Sequence, residues 1–214
     1  MSSPIYPLLA LDTAAGATAC ILMPDGQSFT ASAQQPRAHS RELLPMLQSL
    51  LQQAALSWQE MAGFAVGVGP GSFTGLRVAC ATIAGINAAL EKPVYDLCSL
   101  SITAQQTSYQ GQFWVIEDAR SQLVYAAKWQ HGQLQQAATC LTWDSFSTLP
   151  ASAYLSLTDI PIELPQWQAL STQVSREDAL LAAVQGLDFT AQQSQKLWAE
   201  PIYLQASQAE KNLI

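Results

Sequence analysis

Between Leu76 and Leu90 the chain carries a helical stretch with no polar face. At 3.6 residues per turn, Leu76, Ala79, Ile83, Ile86 and Leu90 form one stripe, while Val78, Ala81, Gly85 and Ala88 fall on the opposite side. Such a helix has to be covered all round, and the second stripe is small enough for another backbone to approach closely. Two arrangements satisfy this: the helix is sandwiched inside its own domain, or the small-residue side is a subunit interface. Both demand a folded partner surface. With 49% hydrophobic residues in 214, the chain can bury a real core, which excludes a disordered or disulfide-stapled protein.

The rest of the patterning predicts an α/β protein. Leu8 to Leu11, Ala17 to Met23 and Gln27 to Ala33 are short apolar runs separated by Gly16 and by Pro24-Asp25-Gly26, so they form an antiparallel meander with Asp12 at the end of the first strand. In Glu42 to Ala55 the residues Leu43, Met46, Leu47, Leu50, Leu51 and Ala54 recur at three and four, the spacing of an amphipathic helix, and Pro45 belongs near its start. A buried strand over Gly63 to Val68 leads into a glycine-rich loop, and Lys92-Pro93 ends the two-sided helix. Val94 to Leu97, Gln112 to Ile116 and Leu123 to Gln130 read as further strands, with a turn at Asp118-Ala119-Arg120-Ser121, and Arg176 to Leu187 as a last helix. The expected organisation is two α/β lobes, 1–107 and 108–214, with the final residues able to pack back on the first.

The loop Gly69-Pro70-Gly71-Ser72-Phe73-Thr74-Gly75 sits between a strand and a helix start, where backbone N–H groups favour an anion. Known chemistries fit it poorly. Gly69 and Gly75 are one residue too far apart for a Walker A motif, and Leu76 stands where its lysine belongs. The dinucleotide fingerprint fails at Ser72 or Thr74, and a nucleophile elbow needs glycines where Pro70 and Thr74 stand. Ser72 is thus a weak nucleophile candidate, the alternative being a tight turn capped by Ser72 or Thr74.

Metal chemistry lacks parts. Four residues after His39 comes Leu43, His131 lies in a turn signal, and Cys20, Cys80, Cys98 and Cys140 show no C-x-x-C spacing and read as reduced thiols. The carboxylates Asp12 and Asp118 each end a strand, one per lobe, and facing each other they would suit Mg-nucleotide binding; two unrelated turns would look the same. Nine basic against sixteen acidic residues give a net charge of -7, which disfavours direct binding to a phosphate backbone. The first twenty residues have no basic n-region, and Asp12 interrupts their apolar stretch, so the expectation is a cytoplasmic chain without membrane partner.

Taken together, Leu9-Ala10-Leu11-Asp12-Thr13, His39-Ser40-Arg41-Glu42-Leu43-Leu44-Pro45-Met46 and above all Gly69-Pro70-Gly71-Ser72-Phe73-Thr74-Gly75-Leu76-Arg77 resemble the TsaB (YeaZ) family of bacterial proteins required to make threonylcarbamoyladenosine in tRNA. Asp118-Ala119-Arg120, Val124-Tyr125 and Glu200-Pro201-Ile202-Tyr203-Leu204 extend the match. The resemblance implies a two-lobed actin- and Hsp70-like fold. It implies a non-catalytic subunit, without cofactor or metal, that serves a paralogous TsaD enzyme acting on adenosine 37 of tRNA, together with a TsaE ATPase. TsaD holds its metal through an H-x-x-x-H pair, of which only His39 is present here. The resemblance also implies pairing, with a second copy or with the paralogue, through first-lobe helices; the candidate residues are Leu43, Met46, Leu47, Leu50, Val78, Ala81, Gly85 and Ala88. Ala79 departs from the glycine common at its position, as a methyl expected on the helix surface, and Leu123 from an acidic residue. A peptidase or a phosphotransferase using Ser72 and Asp12 is the alternative class.

Overall fold

The computed structural model describes residues 6–33, 39–187, 189 and 196–205, with the side chains of residues 39 and 40 excepted. The chain begins with the expected meander, β1 (Leu8–Asp12), β2 (Thr18–Leu22) and β3 (Ser28–Ser32), followed by α1 (His39–Gln53), β4 (Gly63–Gly69), α2 (Phe73–Asn87), β5 (Val94–Cys98) and α3 (Ser99–Ala104). These strands form one sheet in the order β3-β2-β1-β4-β5, antiparallel through β1, β2 and β3 and parallel from β1 to β4 to β5. A second sheet comprises β6 (Phe113–Arg120), β7 (Leu123–Gln130), β8 (Gln133–Thr142), β9 (Ala153–Leu155) and β10 (Gln168–Ala169), with α4 (Trp143–Ser147) between β8 and β9. Its order, taken from the β8 edge, is β8-β7-β6-β9-β10, again an antiparallel meander followed by two parallel strands. The same topology therefore occurs twice, giving the two-lobed, actin-like α/β arrangement.

Side-chain alternation along β1 and β2 accounts for how the first sheet is covered. Leu9, Leu11, Ala19 and Ile21 face α1 and α2, while Leu8, Ala10, Cys20 and Leu22 face α3 and α5 (Arg176–Gln185) through Ile102, Ala179, Leu180 and Val184. Both faces are buried, which is why β1, β2 and β4 read as continuous apolar runs. The second sheet does the same with α3 on one face, through Leu100 and Ala104, and Trp143 and Phe146 of α4 on the other. Helix α3 thus touches both sheets. α5, late in the sequence, completes the first lobe rather than the second.

Boundaries differ from expectation in places with local causes. α2 starts at Phe73, three residues before Leu76, because the Ser72 hydroxyl accepts from the Gly75 N–H at 3.2 Å and caps the first turn. It ends at Asn87, whose side chain donates to the Lys92 and Leu197 carbonyls and accepts from the Lys92 N–H. α1 begins at His39, so Pro45 lies inside it and removes the N–H that would meet the carbonyl four residues earlier. The turn after β6 falls at Arg120, Ser121 and Gln122, all with positive φ, two residues later than its sequence signal. Ala79 is fully buried, so its methyl fills core beside Ile83 rather than lying on the helix surface as expected.

Candidate functional site

The glycine-rich loop is stitched to the turn that follows β1. The Thr13 hydroxyl donates to the Gly75 carbonyl at 2.6 Å, and the Ser72 N–H donates to the Ala14 carbonyl at 3.1 Å. This approach leaves no room for a side chain, because a Cβ on Gly75 would lie 2.1 Å from the Thr13 carbonyl oxygen. Pro70 and Gly75 are buried, whereas Ser72, Phe73, Thr74 and Arg77 are exposed. Ser72 spends its hydroxyl on the helix cap, the structural alternative weighed for it above. Its role here is to start α2 against the Asp12 turn.

Asp12 is fully buried at the end of β1. Its Oδ1 accepts from the Ser99 hydroxyl at 2.7 Å, and Ser99 in turn accepts from the Gly69 N–H at 3.1 Å, so the loop and the carboxylate share one hydroxyl. Its Oδ2 forms an ion pair with Arg176 Nη2 at 2.8 Å. Arg176, the first residue of α5, also donates through Nη1 to the Thr103 hydroxyl at 3.0 Å and the Gln106 side-chain carbonyl at 3.1 Å. Its side chain is 13% exposed, and its buried Nε–H meets no acceptor among the described residues. Space around the carboxylate is tight, since a Cβ on Gly67 would fall 2.0 Å from Asp12 Oδ1.

From the second lobe it is Glu117, not Asp118, that is electrostatically coupled to this centre. Successive residues on β6 point to opposite faces. Asp118 turns toward α4, accepting from Trp143 Nε1 at 3.4 Å and pairing with Arg120 at 3.2 Å. Glu117 is half-buried, and its carboxyl is pushed up from 4.5 to about 7 by desolvation first and by repulsion from Asp12 next, with Arg176 opposing both. The arrangement is two acids, one cation and three neutral hydrogen-bonding side chains, with Asp12 fully buried and Glu117 half-buried at its edge. Two surface cavities, of about 460 Å³ beside residues 107–110 and about 380 Å³ beside Trp114 and Lys128, are lined by neither Asp12 nor Glu117.

The helical candidates separate into two groups. Leu43, Leu47 and Leu50 are at most 1% exposed and pack in the first-lobe core, so the apolar face of α1 covers the sheet and is not free to meet another chain. Met46 and Val78 are half-buried against the same core. Ala81, Gly85 and Ala88 are exposed, and a Cβ on Gly85 would meet nothing within 4 Å. Leu44, 47% exposed, is the apolar residue α1 presents outward. Sequence reading passed over Arg176, Ser99 and Glu117. Ser99 stands at the start of a short helix, where a serine ordinarily reads as a cap, and nothing local to Arg176 marks it as the partner of an acid 164 residues away.

The fold and the loop define a two-lobed, actin-like protein whose acidic centre is filled by its own arginine. Residues 31–158 match the family described as TsaD: tRNA N6-adenosine threonylcarbamoyltransferase. An uncharacterized protein of Mycobacterium tuberculosis (strain H37Rv) is 40% identical over 134 residues, 60% of this chain and 61% of the relative. The tRNA threonylcarbamoyladenosine biosynthesis protein TsaB of Escherichia coli K12 is 33% identical over 129 residues, covering 59% of this chain and 56% of that protein. The matched stretch therefore spans about three fifths of these curated relatives. Among solved structures, an uncharacterized Pseudomonas aeruginosa protein with similarity to peptidase YeaZ superimposes with a TM-score of 0.68 at 26% identity, covering 92% of this chain and 99% of the other. YeaZ from the same organism gives the same score at 23% identity and shares the fold. The chain belongs to the TsaD family and, within it, to the TsaB (YeaZ) proteins.

A TsaD-type metal does not fit this chain, because Leu43, where the second histidine would stand, is sealed in the core. Nor does a metal-nucleotide on Asp12, whose two oxygens already hold Ser99 and Arg176. No helix among the described residues is long and apolar enough to cross a membrane.

Two outcomes follow from the centre's electrostatics. Arg176→Met leaves the Asp12 charge buried and unpaired and should cost about 3–5 kcal/mol in urea unfolding, while Asp12→Asn in the same background recovers much of that loss; additive effects in this double-mutant cycle would contradict the pairing. Because the native state holds the Glu117 proton more tightly than the unfolded chain, its contribution is fully present below about pH 4.5 and is lost as pH rises through about 7. Glu117→Gln should therefore flatten the decline in Tm between pH 5 and 8 and raise stability at pH 8 by on the order of 1–3 kcal/mol.

Proposed function

We propose that this chain is a subunit without catalytic chemistry of its own. It binds a TsaD-type paralogue and, together with a TsaE-type ATPase, supports threonylcarbamoyl transfer to adenosine 37 of tRNA. The observation that carries the reading is the state of Asp12. A carboxylate that is fully buried, with one oxygen on Ser99 and the other on Arg176, presents neither oxygen to solvent, where a substrate or cation would have to reach it. The signature loop that accompanies it, Gly69 to Arg77, then serves to position α2 rather than to hold a phosphate.

What α2 offers is a surface. One side is core through Leu76, Ala79 and Ile83; the other carries Ala81, Gly85 and Ala88 toward solvent, where small side chains allow a second helix to approach closely. This is the face we assign to the partner, with Val78 at its margin and Met46 contributing from α1, and to a second copy of the chain when the paralogue is absent. By linkage, a subunit that binds only the competent conformation of an enzyme raises the population of that conformation. tRNA enters through the partner, since a chain of net charge -7 repels a polyanion, and the site of action is the cytoplasm.

Reconstitution separates this from an enzymatic role. Modification of tRNA by the TsaD-type and TsaE-type proteins should fail without this chain and return with it, and the chain alone should give none; phosphate release or peptide cleavage by the isolated chain would overturn the reading. Gly85→Leu places its side chain in open space, so the variant should unfold at the wild-type temperature yet sediment as a monomer at concentrations where the wild type associates.

A further inference from the structure

At the N-terminal end of α2 a cation is fixed against two exposed rings. Arg77 Nε donates to the Tyr203 hydroxyl at 2.9 Å, and its guanidinium carbon lies 3.8 Å from the Phe73 ring centroid and 5.6 Å from that of Tyr203. The two rings are themselves 5.2 Å apart. Phe73, Tyr203 and Ile202 are each between 42% and 48% exposed. The terminal nitrogens of Arg77 meet no acceptor, and Arg77 enters none of the three ion pairs, among the described residues. The guanidinium is thus held by its stem and rings with its hydrogen-bonding edge turned outward and unused. A planar guanidinium fixed in advance forms a bidentate pair with less loss of side-chain freedom than a mobile one, and Arg and Tyr are enriched where binding energy concentrates.

Its placement is continuous with the small-residue face. At about 100° per residue, positions 73, 77, 81, 84, 85 and 88 share one arc of about a third of the helix, roughly 22 Å from end to end. A partner helix lying along Ala81, Gly85 and Ala88 passes Arg77 at one end. Charge decides which anion it brings. A phosphate backbone needs a field of several cations, whereas here one guanidinium stands among apolar side chains on a chain of net charge -7. A single carboxylate flanked by apolar residues matches that pattern.

We propose that Phe73, Arg77 and Tyr203 form the polar anchor of the α2 docking face, and that the anchor takes a carboxylate side chain of the partner protein's helix. The assignment rests on the partner-subunit reading and adds to it the chemistry that sets register along α2. The TsaD-type protein from the same genome, titrated by calorimetry, is the probe. Arg77→Glu should weaken its binding at least tenfold and Arg77→Lys severalfold, with unfolding temperatures unchanged because Arg77 is exposed. An Asp or Glu to Arg substitution on the partner's helix should restore binding to Arg77→Glu and to no other variant. Full affinity of Arg77→Glu would remove the anchor while leaving the heterodimer standing. Loss of tRNA association with an unaffected heterodimer would make phosphate the occupant and overturn the proposal in another way. If the wild type forms no heterodimer, the subunit reading fails first and the anchor with it.

Discussion

A guanidinium and a carboxylate withdrawn from water together, Arg176 on Asp12, hold the architecture at the point where its parts meet. Asp12 ends the first strand of the first sheet, Arg176 starts the helix that covers that sheet's second face, and Thr103 and Gln106, which share the guanidinium, belong to α3 and its exit. Burial of either charge alone would cost several kcal/mol, so each makes the other's position tolerable. Gly67 and Ser99 are fitted around the same carboxylate, the first by having no Cβ and the second by donating a hydroxyl. The glycine-rich loop depends on this indirectly, since its Gly69 N–H rests on Ser99 and its Gly75 carbonyl on Thr13.

Duplication of one topology explains why acids collect here. In both sheets the first strand of the meander is also the strand that pairs with the parallel one, so β1 and β6 lie at the centre of their sheets and carry acidic residues at their C-terminal ends. Two such ends brought together around α3 make a negative centre. A negative centre must be neutralised by a metal, by protonation or by a cation of the chain itself. This chain uses the last two: Arg176 for Asp12, and a carboxyl pushed up to about 7 for Glu117.

Much of the first lobe was legible because its elements have clean periodicity. The meander, the helix expected over Glu42 to Ala55, which ends at Gln53, and the two-sided helix are all marked by spacing, and Asp12 stands at its strand end as expected. What periodicity cannot carry is which of two apolar destinations a face takes. Leu43, Leu47 and Leu50 have the same spacing whether they cover a sheet or a partner, and the sheet claims them because β1 and β2 expose a second apolar row. Alternation decided the acids likewise: Asp118 was singled out because it opens a turn signal, but its neighbour Glu117 has the parity that faces α3. Arg176 was illegible for a different reason. Its capping neighbours Ser175 and Asp178 explain its local sequence completely, and the contact that matters is tertiary.

These facts bear on what the loop signature selects for. In a chain whose acidic centre is filled from within, a loop of this specificity needs a purpose other than cradling a ligand, and its contacts supply one. Thr13 holds Gly75 and Ala14 holds Ser72 from one side, and the Ile202 N–H donates to the Val68 carbonyl from the other. The first turn of α2 is thereby clamped between the end of β1 and the C-terminal segment, with Phe73 and Arg77 on the outside and Tyr203 beside them. A helix clamped at its start presents the rest of its length at a defined angle. Surface presentation of that kind requires a rigid origin and small outward residues, and both are properties that replacement of Gly75 or Gly85 by a larger residue would remove, the first from inside the fold and the second from outside it.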